Sequence, residues 1–183
     1  DERSQQIYNV IDKGRVMQQA FRGMTLLDYA INASLVLSYV AMRKEDKAGL
    51  VTFDEHFDTF VPASRQSGYM QTLLENLYSQ QTTFGETDFS ALCVHLNKHV
   101  GKRSLLVLYT NFSSIGSMNR QLSYLKQLNH RHRLLVVFFE DADLKEYIAQ
   151  PAKDTEGYYR HVIAEKFAYE KRLIVSTLKQ HGI

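Results

Sequence analysis

The residues best suited to chemistry begin at Asp12. In YNVIDKGRVM, residues 8–17, an apolar strand-like run stops at an aspartate followed by a glycine and two basic residues. Two further polar segments follow, GETD at 85–88 and TNFSS at 110–114, carrying Thr87, Asp88, Asn111 and Ser113. A hard divalent cation needs several oxygens converging from separate loops. Asp12, Thr87 and Asp88 are ligands of that type. A nucleotide site is disfavoured, because the loop after Asp12 holds neither G-x-G-x-x-G nor G-x-x-x-x-G-K-[ST], only Gly14 and Gly23. Without closely spaced glycines the backbone cannot approach a pyrophosphate.

Other reactive residue types have quieter readings. Ser113 and Ser114 follow a strand, but no histidine can be assigned as their base, so a hydrolase has no constellation behind it. HRHR at 130–133 falls at a helix C-terminus, where cations complement the macrodipole, and that reading is preferred to a metal or nucleic-acid site. Cys93, the single cysteine, shares the spacing of Phe89, Leu92 and Leu96, which marks a buried helix face. The tyrosines read as packing and interface residues. For Tyr158, Tyr159 and Tyr169, docking of the last helix on the sheet is expected over an exposed patch.

The elements that must position these residues alternate between strand and helix. QIYNVI (6–11), KAGLVTF (47–53), FDTFVP (57–62), SLLVLYTNF (104–112) and RLLVVFFED (133–141) read as strands, with a hairpin at 54–56. Helices are expected over 26–44, 67–80, 87–100 and 117–131, and through most of the last thirty residues. The helix at 26–44 is apolar nearly all round, as one covered on several sides would be. In the last thirty residues, Phe167, Ile174 and Leu178 mark one apolar line and Val162, Lys166, Tyr169 and Leu173 another. Thr87 or Asp88 is placed to cap the helix after it. This order predicts a three-layer α/β/α fold, a doubly wound, mostly parallel sheet with one antiparallel edge strand. Ligands of such sheets sit beyond the carboxyl ends of the strands, where strand order reverses. The three polar segments should therefore share one rim.

Bulk properties bound the function. The chain has 183 residues, 44% of them hydrophobic, with two prolines, which suits an ordered domain. A net charge of +2 argues against bulk electrostatic binding to nucleic acid or membrane. No apolar run is long enough to span a bilayer. The opening DERSQQ is unlike a signal peptide, and the first strand follows almost at once. At the other end, Gly182 reads as a helix C′ glycine and Ile183 as the start of another element. The expectation is a piece of a longer protein, with residues 1–150 forming the domain and 151–183 a terminal helix on or extending from it.

The succession of an apolar strand ending in Asp, LDYAINASLVLSYVAMRKEDKAGLVTF, GETDFSAL and LLVLYTNF resembles a von Willebrand factor A domain. KEDKAGLVTFDE, YMQTLLENLY and HRHRLLVVFFEDADL are similar in order and spacing to the bacterial domain-of-unknown-function family fifty-eight, whose core is such a domain. The resemblance covers about residues 6 to 150 and extends to the final helix. Members are commonly encoded beside MoxR-type AAA+ ATPases. The resemblance therefore implies such a partner, and a cytoplasmic domain of a parent protein that often carries N-terminal membrane helices.

The A-domain resemblance also implies a place for Mg²⁺, the metal-ion-dependent adhesion site, which opens with D-x-S-x-S. The matching residues here are Asp12, Gly14 and Val16, so both serine hydroxyls are missing. Thr87 matches the second-loop threonine, and Asn111 replaces a third-loop aspartate. A degenerate site without metal or other cofactor is the expectation, with Mg²⁺ held by Asp12, Thr87 and Asn111 as the alternative. Lys13 and Arg15 bring positive charge to the rim. Arg15 either pairs with Asp12 or points, with Lys13, into solvent. The implied work is non-enzymatic protein–protein interaction at a rim of Asp12, Lys13, Gly14, Arg15, Thr87, Asp88, Asn111 and Ser113. Metal-dependent adhesion ranks second and a metal-dependent hydrolase third.

Overall fold

A computed structural model describes residues 4–183. Strand β1 (Gln6–Asp12) leads through a 3-10 turn (Arg15–Met17) and a short ribbon, β2 (Ala20–Phe21) and β3 (Met24–Thr25), into helix α1 (Leu26–Arg43). The hairpin β4 (Lys47–Phe53) and β5 (Phe57–Ser64) follows, then α2 (Tyr69–Tyr78) and α3 (Phe89–His99). The second half runs β6 (Leu105–Tyr109), α4 (Ile115–Arg131), β7 (Arg133–Val137), α5 (Ala142–Ala149) and α6 (Thr155–Gln180).

The main sheet has the order β5-β4-β1-β6-β7. β1 pairs in parallel with β4 and β6, and β6 with β7, while β5 closes one edge antiparallel to β4. From β1 the chain builds outward to β4 and β5, then returns to β6 on the other side. Strand order thus reverses beside β1, and the carboxyl ends of β1 and β6 open the crevice where such sheets bind. The expected three-layer architecture with one antiparallel edge is what forms.

Alternate side chains of the central strands feed two cores. Ile11, Leu50 and Val107 pack with Leu27, Ala30, Leu73 and Leu77 of α1 and α2. Val10, Val51, Leu106 and Leu108 pack with Leu92, Leu96, Leu125 and Leu128 of α3 and α4, and with Ile174 and Leu178 of α6. Each Val, Leu or Ile among them contributes about 1.5–3 kcal/mol on full burial. Cys93 lies in this second core, where burial pushes its thiol up to about 11. One polar residue interrupts β1. Asn9, fully buried, donates to the Ser34 carbonyl at 3.2 Å and Ser38 Oγ at 2.9 Å, and accepts from the Tyr109 hydroxyl at 3.0 Å. A one-residue slip of β1 would turn Asn9 to the other core and leave its amide unpaired, so this cluster helps to fix the register.

Several expectations are corrected. Helix α1 is covered by the sheet and by α2, but not all round, because Val36, Tyr39 and Val40 are exposed on its outer face. Small residues on its inner face, Ala30, Ser34, Ser38 and Ala41, seat it close to the sheet. β6 stops at Tyr109 and β7 at Val137, short of residues 112 and 141; the Thr110 N–H still reaches the Val137 carbonyl at 3.4 Å while its hydroxyl turns to Asp12. The last thirty residues form one helix, α6, as expected, while α5 precedes it where no helix was expected. α6 docks through Ala164, Ile174 and Leu178, and at 60%, 63% and 60% exposure Tyr158, Tyr159 and Tyr169 do not dock it. Phe167 is exposed as well, so only Ile174 and Leu178 of its expected line are core. Gly182 adopts the left-handed conformation of a C′ residue (φ 76°). Ile183 packs against the second core.

Candidate functional site at the carboxyl end of the sheet

β1 delivers Asp12 to the switch point with no exposed surface. Its Oδ1 accepts the Gly14 N–H at 2.8 Å and the Thr87 hydroxyl at 2.7 Å, and its Oδ2 accepts the Thr110 hydroxyl at 2.8 Å. The three polar segments read from the sequence therefore meet at one carboxylate. A backbone bond from the Arg15 N–H to the Gly85 carbonyl (2.8 Å) clamps the first loop to the second. Gly14 has extended backbone, so its role is space: a Cβ there would collide with Thr87 Oγ1 and come within 3.0 Å of Asp12 Oδ1.

Burial pushes the Asp12 carboxyl above the ordinary carboxylate range. The bonds from Gly14, Thr87 and Thr110 pull it back, and the charge of nearby Asp54 adds to the rise. Among the described residues, no cation lies within ion-pair distance of Asp12.

The basic residues take other paths. Lys13, 1% exposed, points neither to Asp12 nor to solvent. Its ammonium pairs with Asp58 on β5 and donates to Gln80 Oε1 at 3.0 Å and the Gln81 carbonyl at 2.9 Å. Alternation along the strand accounts for this, since consecutive side chains face opposite ways. Arg15 does not pair with Asp12 either; it is exposed and lies 3.3 Å from Glu86. The turn after Gly14 carries it outward.

Asp88, the second-loop carboxylate, accepts the Ala91 N–H at 3.0 Å and is the N-cap of α3, a role that Thr87 does not share. Asn111 Oδ1 accepts its neighbour Phe112 N–H at 3.0 Å and receives Lys171 Nζ of α6 at 3.4 Å. Burial lowers the Lys171 pKa, and Asp141 opposes that shift. Ser113 is exposed and meets Ser117 Oγ at 3.4 Å, within the cap of α4. Thr110 is the site residue missing from the sequence reading. Its signal was a hydroxyl at the first position after an apolar strand, one residue before the recognised Asn111.

The donor inventory tests how Mg²⁺ would fit. Gly14 and Val16 supply no side-chain oxygen. The hydroxyls of Thr87 and Thr110 are turned onto Asp12, and Asn111 is engaged by Phe112 and Lys171. No group of three or more His, Cys, Asp or Glu residues with metal-binding geometry occurs among the described residues. Holding Mg²⁺ would require Asp12 to give up hydrogen bonds that it already makes, with few ligands to replace them.

The fold is of von Willebrand A type. The fold is similar to that of the SpRpn10 VWA domain, with a TM-score of 0.50 and 10% identity over 73% of this chain and 72% of that one. It is also similar to an aerotolerance-related membrane protein from Bacteroides fragilis NCTC 9343 carrying multiple mutations to serines (TM-score 0.52, 15% identity, 84% and 79% covered). The conserved hypothetical protein BatB from Bacteroides thetaiotaomicron gives a TM-score of 0.51 at 13% identity, over 73% of this chain and 64% of that chain. No curated protein matches the sequence. The family model "Protein of unknown function DUF58" matches residues 1–147, and the chain belongs to that family. No helix among the described residues is long and apolar enough to cross a membrane.

Proposed function

We propose that this domain is a non-enzymatic protein-interaction module whose rim works without a metal ion. The observation that carries the reading is Asp12, whose carboxylate is closed by three internal donors and has no open valence directed at solvent. In a metal-dependent adhesion site the corresponding oxygens would be shared with the ion and a partner's acidic group. Here the loops at 13–16, 85–88 and 111–116 are held to one another, and they present Arg15, Glu86 and Ser113 outward. Among the described residues, no base is hydrogen-bonded to the candidate nucleophiles Ser113 and Cys93, which supports the non-enzymatic reading. Ser113 has only another serine beside it, and the buried thiol of Cys93 lies in the core.

The partner we propose is a MoxR-type AAA+ ATPase, on the family resemblance. The domain would serve as a cytoplasmic part of a larger protein carrying its own membrane anchor. The test is the affinity of that ATPase for wild type and Arg15→Glu, each with excess EDTA and with excess Mg²⁺. Arg15→Glu replaces the Arg15–Glu86 pair by two like charges on the rim, which slows encounter and weakens association. Loss in the variant under both conditions supports the reading. Binding that requires Mg²⁺ favours the adhesion-type alternative. Equal affinities in all four conditions sink the rim as the interface.

A further inference from the structure

The carboxylates of this chain are unevenly distributed. Between Asp88 and Glu140 there is not one Asp or Glu, while the same stretch holds seven Lys and Arg. The fold gathers most of these at one end. Lys98 closes α3, Lys102 and Arg103 lie in the loop before β6, Lys126 and Arg131 occupy the last turns of α4, and Arg133 opens β7. These six are exposed, and none is within ion-pair distance of a carboxylate among the described residues. This end is opposite the rim of Asp12, since β6 and β7 both start here.

Complementing the helix macrodipoles accounts for Lys98 and Arg131, which lie in last turns. It does not account for Lys102, Arg103 or Arg133, which are outside helices. Along the carboxyl-terminal half of α4 lies a shallow, open groove of about 510 Å³, lined by Asn97 of α3 and by Ser123, Lys126, Gln127, His130 and Arg131 of α4. Arg131 is held across it by donating to the Asn97 carbonyl at 3.3 Å.

We propose that this groove and the cations around it form a second docking face, one that takes an acidic segment of a partner protein. The charge fixes the sign of the partner. The lining fixes its class: Asn97, Ser123 and Gln127 each both donate and accept, which matches peptide N–H and C=O groups as well as carboxylates. A phosphodiester backbone has no donor to offer, and no Phe, Tyr or Trp lines the groove to stack a base. This face is independent of the rim reading and can stand or fall alone.

The experiment is fluorescence anisotropy of a labelled oligoglutamate peptide against the protein at low and physiological salt. Single-stranded RNA and phosphatidylserine vesicles serve as competing probes. Wild type is compared with Lys126→Glu/Arg131→Glu, and with Lys166→Glu/Arg172→Glu on α6, which makes the same change in net charge at two other exposed positions. Lys98→Glu/Lys102→Glu replaces the first variant should that one unfold by circular dichroism. The expected result is saturable peptide binding, weakened about tenfold or more in the groove variant and about twofold or less in the control. Equal losses in both variants, or no saturable binding, overturn the proposal. Tighter binding of RNA or vesicles, abolished by the groove variant, overturns it in favour of that class. Self-association abolished by the same variant assigns the face to a second copy and overturns it too.

Discussion

Thr87 donates to Asp12 at 2.7 Å across the space that Gly14 leaves by having no side chain. The two positions are therefore coupled. Gly14→Ser should destabilise by about 1–3 kcal/mol, since its Cβ meets Thr87 Oγ1 in a packed site. Thr87→Ala should cost a similar amount by leaving Asp12 short of a donor. In the double variant the new serine hydroxyl can replace the lost one, so the combined cost should fall below the sum by about 1 kcal/mol. Urea unfolding of all four proteins measures this. Strict additivity would show that the two side chains do not share one space.

Asp12→Asn tests the electrostatics of the same site. The folded pKa of Asp12 is raised above its ordinary 3.8, so folding favours the protonated form. Its contribution is fully present below 3.8 and is lost as pH rises through the folded value. An asparagine accepts the Gly14 and Thr87 donors and never ionises. Relative to wild type, Asp12→Asn should gain stability with rising pH across that window and then level off. A constant difference between the two unfolding curves at all pH values would refute the shift.

Metal binding gives a direct measurement. Isothermal calorimetry with Mg²⁺ or Mn²⁺ should show no saturable heat at about micromolar metal, because ligand number and charge set affinity. A one-site isotherm that disappears in Asp12→Ala would promote the adhesion-type reading.

His132 should add a pH dependence of the opposite sense. It is buried, its Nδ1 accepts the Ser104 N–H at 3.1 Å, and its Nε2 has no partner among the described residues. Burial lowers its pKa, and the charges of Arg131 and Arg103 lower it further. The unfolded chain takes up a proton near 6.5 that the folded chain refuses, so stability is lost as pH falls below that value. His132→Asn should flatten the fall between about pH 7 and about pH 5. An unchanged slope would clear His132 of the effect.

Most of the architecture was legible because buried parallel strands leave long apolar runs, and helices between them leave a different period. The rim was legible in position for the same reason, since strand ends fix where polar residues meet. Partner choice within the rim was not. Lys13 and Arg15 look alike in sequence, yet one is buried against Asp58 and the other lies in solvent beside Glu86. That difference depends on side-chain direction after the last strand residue and on Gln80 and Gln81, more than sixty positions away. The tyrosines of α6 were misjudged for a related reason. Aromatic residues are common at docking faces, but the docking line there is set by Ala164, Ile174 and Leu178.

Asp12 and Lys13 are neighbours whose side chains leave the backbone in different directions, one toward the Thr87 and Thr110 loops, the other toward β5 and the segment after α2. Two adjacent residues thus rivet four segments into one plate. A partner arriving at that plate meets a surface that is already ordered, and little loop entropy is left to lose on association. Encounter should then be a single kinetic step, with an observed rate that rises linearly with partner concentration and never reaches a plateau. Stopped-flow mixing would reveal a plateau at once if the rim had to rearrange first.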